Sequence, residues 1–251
     1  MSKISIDDLM IVSYRNRPGR YDARGLLLDI VPESDDLVIS CSGIVPKDHI
    51  IYAMENTSQN INTNKIFICD SSSSWYYNGI PGMTSSFGDT VYLVEHIVNN
   101  LRPKRICAIG TSSGAYMSIA LTAMLGFDRS LGMSPQTSLD RRWREENGDD
   151  RWGEHITRIC DKYKPYDLSE LIETRKSSQF HVVYPGDDEL DIKHAERLSG
   201  MNNVHLYRLD GSDHNPSAEL KRRGVLHTVI ESFISGNICG LSEILNLQTI
   251  N

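Results

Sequence analysis

Gly110-Thr111-Ser112-Ser113-Gly114 is the stretch of this chain whose residue types and spacing most clearly suit chemistry. The apolar run Ile106 to Ile109 leads straight into it, and a small-residue pattern of helical character follows. Gly-x-Ser-x-Gly between a strand and a helix describes a turn so sharp that its central residue is strained and its neighbours must lack bulk. The two glycines let strand and helix pass closely while the Ser112 hydroxyl projects from the sheet edge. The chemistry that fits is acyl transfer. A serine hydroxyl attacks poorly at neutral pH, so it needs a base within hydrogen-bond reach, and histidine suits because its proton affinity lies near working pH. A carboxylate then fixes the imidazole's tautomer and stabilises the imidazolium that forms.

Such groups need a sheet to position them. Leu26 to Ile30, Leu37 to Cys41, Lys65 to Cys69, Ile106 to Ile109, Ser130 to Met133, Phe180 to Tyr184 and Val204 to Leu209 read as strands. Helical patterns lie at Asp48 to Ser58, at Asp89 to Leu101 before Pro103, after Ser112, and from about Ser217 to Ile234. The alternation predicts an α/β class chain, with a mostly parallel central sheet flanked by helices on both faces. The opening strands, joined by the short turn Pro32-Glu33-Ser34-Asp35-Asp36, are expected to be the antiparallel part. With no repeat and no linker-like stretch, residues 1–251 read as one domain.

The segment 135–178 departs from the alternation. It is polar, rich in arginine and aspartate, holds Trp143, Trp152, Tyr163 and Tyr166, and reads as short helices around Leu139 to Glu146, Trp152 to Lys162 and Leu168 to Thr174. It could form a small cap over the site, since long insertions in compact domains are usually functional. The alternative is a surface connection whose tryptophans fill a local core.

Two later loops extend the pattern. Pro185-Gly186-Asp187-Asp188-Glu189-Leu190-Asp191, followed by His194-Ala195-Glu196-Arg197-Leu198, comes after one strand, and Asp210-Gly211-Ser212-Asp213-His214-Asn215 after the next. With the Ser112 turn, these resemble the α/β-hydrolase fold superfamily over most of the chain; its serine, acid and histidine follow in that order, each after a strand. The resemblance implies Ser112 as nucleophile, His214 as base and Asp188 as acid, with Asp187 and then Glu189 as the next candidates. It also implies an oxyanion hole built from the backbone N–H of Ser113 and a second donor at Gly43 or Ile44, in Ser42-Gly43-Ile44-Val45-Pro46. That loop carries Cys-Ser-Gly where the superfamily commonly has His-Gly, and Gly43 also reads as a plain turn glycine.

Ser42-Gly43-Ile44-Val45-Pro46, Gly-Thr-Ser-Ser-Gly, Gly-Asp-Asp and Gly-Ser-Asp-His-Asn are together similar to bacterial capsular-polysaccharide O-acetyltransferases of that fold. This narrower resemblance implies acetyl-coenzyme A as cosubstrate, with Arg141, Arg142 and Arg144 meeting its phosphates or forming a solvated face. Otherwise no cofactor is expected. The loop from Asp70 to Gly82 carries Trp75, Tyr76 and Tyr77 among hydroxyls, which suits stacking on a sugar, although such rings also close a core beneath a long loop.

Three functions remain open from these residues. They are a serine esterase whose acyl-enzyme is resolved by water, an acyltransferase resolved by a sugar or other alcohol, and a binding module with a vestigial serine turn. The substrate expected is a small ester or a carbohydrate. A net charge of −7 argues against a general nucleic-acid binder. No run approaches membrane-spanning length and no signal pattern opens the chain, so a cytoplasmic location is expected. Five cysteines without a Cys-x-x-Cys pair give neither a disulfide framework nor a zinc site, and no metal is expected.

Overall fold

The computed structural model describes residues 20–23, 25–31, 33–46 and 49–247. Eight strands form one sheet: β1 (Arg20–Ala23), β2 (Leu26–Asp29), β3 (Asp36–Cys41), β4 (Asn64–Ile68), β5 (Arg105–Thr111), β6 (Arg129–Met133), β7 (Gln179–Pro185) and β8 (Val204–Leu209), in the spatial order β1-β2-β4-β3-β5-β6-β7-β8. Every pairing from β4 to β8 is parallel; β1–β2 and β2–β4 are antiparallel. The short turn after β2 therefore does not join a hairpin, because β4 lies between β2 and β3. Every residue of β3 after Asp36 and all of β4 are buried, as parallel strands covered on both faces must be.

Ten helices are present among the described residues. They are α1 (Glu55–Ser58), α2 (Phe87–Leu101), α3 (Ser113–Leu125), α4 (Arg141–Asn147), α5 (Gly153–Lys162), α6 (Leu168–Glu173), α7 (Glu189–Glu196), α8 (Pro216–Arg222), α9 (Leu226–Ser235) and α10 (Ile238–Leu247). Strand side chains alternate between two apolar clusters. Leu37, Ile39, Ala108, Phe180 and Val182 face α2, α3, α5 and α6, while Val38, Cys107, Ile109, Leu131 and Val183 face α9 and α10. α3 is buried from Ser113 through Ala123, on every side.

Two expected helices differ in the structure. The pattern from Asp48 to Ser58, whose first residue lies outside the described residues, yields a helix only at Glu55–Ser58. Upstream of it the backbone is held against β3: the Ser42 hydroxyl donates to the Ile51 carbonyl (2.6 Å) and accepts from the Ala53 N–H (3.0 Å), and the Ser40 hydroxyl donates to the Ala53 carbonyl (2.6 Å). Met54, at φ 62°, then turns the chain into α1. The last helical pattern divides into α8 and α9 at Gly224, whose φ of +75° ends the first. β1 and α10 lie beyond the expected elements.

The chain changes direction across the sheet at β3, whose neighbours are β4 on one side and β5 on the other. In open α/β sheets, ligands bind beyond the carboxyl ends of strands at such a switch point. Cys41 pairs with Gly110 there, bringing the loop after β3 beside the loop after β5.

Candidate active site

Ser112 sits where β5 ends and α3 begins, with φ 54° and ψ −122°. Positive φ is uncommon for a serine, and such strain persists only where the surroundings enforce it. They do so here: the Ser112 N–H donates to the Met133 carbonyl (2.8 Å). A Cβ on Gly110 would run into the Gly114 carbonyl, and one on Gly114 into the Cys41 carbonyl. Both glycines are required by close backbone approach.

His214 Nε2 lies 3.0 Å from Ser112 Oγ, and His214 Nδ1 lies 2.7 Å from Asp191 Oδ2. With Nδ1 protonated, the ring donates to Asp191 and presents Nε2 to the serine. Ser112 and His214 thus stand together as the sequence suggests, and the acid in contact with the ring is Asp191. Asp188 does not fill that place, because it is the N-cap of α7 and its Oδ1 accepts from the backbone N–H groups of Leu190 and Asp191, both at 3.0 Å. Asp187 accepts from the Gly211 N–H (2.9 Å), tying down the loop that carries the histidine, and Glu189 is exposed in the first turn of α7. Asp191 lies three residues into the turn that Asp188 caps, and that turn brings its side chain to His214 in the loop after β8. The Asp188-Glu-Leu-Asp191 spacing, a cap residue with an acid three positions on, is a helix-start signature that could have separated their roles.

The inserted segment reaches the site at one corner. Ile156, Ile159, Leu168 and Ile172 join the core cluster that includes α3, while Asp149 to Trp152 extends towards the serine. The Trp152 ring lies 4.8 Å from the His214 ring, centre to centre. Arg151 Nη1 lies 2.9 Å from Asp191 Oδ1, 3.4 Å from Asp188 Oδ1 and 3.5 Å from His214 Nδ1, and its Nε lies 3.1 Å from Asp149 Oδ1. Asp188, Asp191 and His214 converge within 4.8 Å, the kind of grouping that could hold a cation, and the Arg151 guanidinium reaches all three. The sequence puts Trp152 in the segment read as either a cap over the site or a surface connection, but nothing in it singles out Arg151, forty residues before Asp191.

A cavity of about 650 Å³ opens beside the serine. The loop from Ser42 to Val45, the stretch Ile51–Thr57, Trp152, His214, Ala218, Lys221 and Leu226 line it. Gly43 and Ile44 belong to this lining, and a Cβ on Gly43 would come within 2.7 Å of the Thr111 carbonyl, so this loop presses on the serine turn. Ser113 is the first residue of α3, where backbone N–H groups have no intrahelical acceptor.

The aromatic loop has another place. Trp75, Tyr76 and Tyr77 are buried and do not line the cavity, which removes them as sugar-stacking rings. Asp70 organises their loop by accepting from the backbone N–H groups of Ser72, Ser74 and Tyr76. Trp75 Nε1 donates to Gln136, the Tyr76 hydroxyl donates towards the Ser42 and Ile68 carbonyls, and the Tyr77 and Tyr116 hydroxyls lie 2.7 Å apart. Buried aromatics carrying satisfied polar tips are core residues. The basic cluster is also engaged: Arg141 pairs with Asp161 (2.6 Å), Arg142 with Glu146 (2.7 Å), and Arg144 donates to the Arg151 carbonyl (2.6 Å).

No protein-family model matches the sequence, and no curated protein matches it. Solved structures do match. A capsule O-acetyltransferase of Neisseria meningitidis serogroup A aligns over 86% of this chain and 96% of its own, at 14% identity and a TM-score of 0.60. Est1E from Butyrivibrio proteoclasticus aligns over 88% and 98%, at 15% identity and a TM-score of 0.57. The Pyrococcus furiosus esterase PF2001 aligns over 84% and 86%, at 17% identity and a TM-score of 0.56. The chain has the α/β-hydrolase fold. Among the described residues, no helix is long and apolar enough to cross a membrane.

Proposed function

We propose that this protein is a serine-dependent acyl-transfer enzyme that hydrolyses a small ester, with Ser112 as nucleophile, His214 as general base and then acid, and Asp191 as the carboxylate that orients the histidine. The observation carrying this reading is the run of contacts from Ser112 Oγ through His214 (3.0 Å) to buried Asp191 (2.7 Å), on a serine held in a strained turn at the mouth of a cavity. In the mechanism, His214 Nε2 takes the Ser112 proton as Oγ attacks the ester carbonyl. The Asp191 carboxylate offsets the positive charge this places on the ring. The tetrahedral oxyanion would be met by the Ser113 N–H and by that of Gly43 or Ile44, each worth about 10²–10³ in rate where such donors have been removed elsewhere. His214 returns its proton to the leaving alcohol, and water, activated by the same ring, resolves the acyl-enzyme.

An activated fluorophosphonate tests this. Wild-type protein should be labelled once, at Ser112, and Ser112→Ala should not be labelled. Labelling that persists in Ser112→Ala, or a wild-type protein that is never labelled, contradicts the proposal; the second result favours a binding module.

Transfer to a sugar hydroxyl is a second reading, supported by the size of the cavity: about 650 Å³ lies in the range of sites for drug-sized ligands and exceeds what a small acyl group alone requires. The matching Neisseria enzyme is by name an O-acetyltransferase, and a mutant of it has been solved in complex with CoA. Acetyl-coenzyme A would be the cosubstrate here; Arg141 and Arg142 form exposed pairs with Asp161 and Glu146, and Arg144 donates to the Arg151 carbonyl. Incubating the protein with acetyl-coenzyme A and sugar acceptors separates the readings: free acetate supports hydrolysis and acetylated sugar supports transfer.

A further inference from the structure

Asp191 is fully buried and carries two partners rather than one. Its Oδ2 faces His214 Nδ1 at 2.7 Å, and its Oδ1 accepts from Arg151 Nη1 at 2.9 Å. The same guanidinium reaches back through Nε to Asp149 (3.1 Å), whose other oxygen lies 3.1 Å from His194 Nε2. Asp149 and His194 are themselves buried, and the Trp143 ring lies 4.4 Å from that of His194. A line of polar groups therefore runs from His194 through Asp149, Arg151, Asp191 and His214 to Ser112. Burial works against the Arg151 charge, but Asp191 and Asp149 more than offset it, and the guanidinium is held firmly cationic. Burial likewise works to raise the Asp149 carboxyl, while His194 and Arg151 outweigh it and keep it well below the usual carboxylate range.

We propose that Arg151 is a positioning residue for the serine site: its guanidinium clamps the carboxylate plane of Asp191 so that Oδ2 meets the imidazole. This rests on the proposed serine chemistry. A planar guanidinium spans Asp149 and Asp191 at once and so fixes the carboxylate's rotation, whereas an ammonium supplies the charge alone. The groups beside His214 are Asp191 and Asp188 from the α7 turn, Arg151 from the inserted segment and Ser112 from the β5–α3 turn, and Lys221 of α8 and Glu55 of α1 line the same cavity.

The test is the downfield ¹H NMR signal of the His214 Nδ1–H bonded to Asp191, assigned by its loss in His214→Gln, combined with the rate of fluorophosphonate labelling of Ser112. In Arg151→Gln the signal should move upfield or broaden away as the carboxylate turns, and labelling should slow by roughly tenfold or more. In Arg151→Lys labelling should slow several-fold because the fork is lost. An unmoved signal in Arg151→Gln overturns the proposal. If Arg151→Gln does not fold, Arg151→Lys decides, and labelling at the wild-type rate overturns it. A signal that moves as predicted in a protein whose Ser112 never labels supports the Arg151 clamp and contradicts the serine chemistry, so the two failures are told apart.

Discussion

The four acids that follow β7 do four different things within five residues. Asp187 secures the histidine loop, Asp188 caps α7, Glu189 faces solvent and Asp191 meets His214. Substitutions should separate them. Asp191→Asn should lower kcat by about 10³–10⁴ on an activated ester, because the amide offers the wrong hydrogen-bond partner and no charge. Asp188→Ala should cost about 1 kcal/mol of stability through the lost cap, with turnover reduced far less. Urea unfolding and steady-state kinetics on both variants check this, and equal kinetic losses would contradict the assignment. Ser112→Ala and His214→Ala should each remove most turnover and, combined, cost little more than either alone. That Ser112 and His214 would stand together was legible in the sequence, because glycine spacing and chain order carry it. Which carboxylate would meet the ring was not, because side-chain direction within the first turn of α7 depends on which aspartate takes the cap. Trp75 to Tyr77 misled for a related reason: composition alone does not tell a ring that stacks on a ligand from one that fills a core.

Among the elements, the β5–α3 turn is the least replaceable. Ser112 at φ 54° and glycines pressed against backbone carbonyls leave no room for a methyl group at position 110 or 114. Gly114→Ala should therefore destabilise the fold by about 2 kcal/mol or more, since overpacking against backbone cannot be relieved by a rotamer change. Thermal unfolding checks this, and a variant as stable as wild type would contradict the close approach of α3 to β3. The wall of the cavity is built differently. Two hydroxyls, Ser40 and Ser42, hold Ile51 and Ala53 in place, a task that the helical periodicity of that stretch conceals. Strand identities were readable from their apolar runs, but strand adjacency was not: β4 enters between β2 and β3 because pairing follows burial, not the length of the connecting turn.

Across the whole molecule, one sheet places four loops at its carboxyl edge, those after β3, β5, β7 and β8, and the site is where they meet. That edge was predictable from the strand–helix alternation; that the inserted segment would reach it with Trp152 was one of two readings, and the place of Arg151 was not legible. The packing also sets a dependence of stability on pH. Burial, aided by His205 and Arg129, pushes His181 down to about 3 from its ordinary 6.5. Below pH 6.5 the unfolded chain therefore takes up a proton that the folded one refuses. Stability is full above that pH and falls as pH drops towards about 3, by about 1.4 kcal/mol per pH unit from this residue. Burial also lowers His194, despite Asp149, and acts in the same direction. Between pH 6.5 and about 5, His181→Gln should lose about 2 kcal/mol less than wild type in urea unfolding, and parallel losses would contradict the account.

The central claim is that Ser112 carries the acyl group. It is tested most directly by intact-protein mass measurement and peptide mapping after brief mixing with p-nitrophenyl acetate and an acid quench. The account predicts a gain of one acetyl group, located on the peptide containing Ser112 and absent in Ser112→Ala. Turnover of the ester by Ser112→Ala at the wild-type rate, or an acetyl group found on another residue, would contradict it.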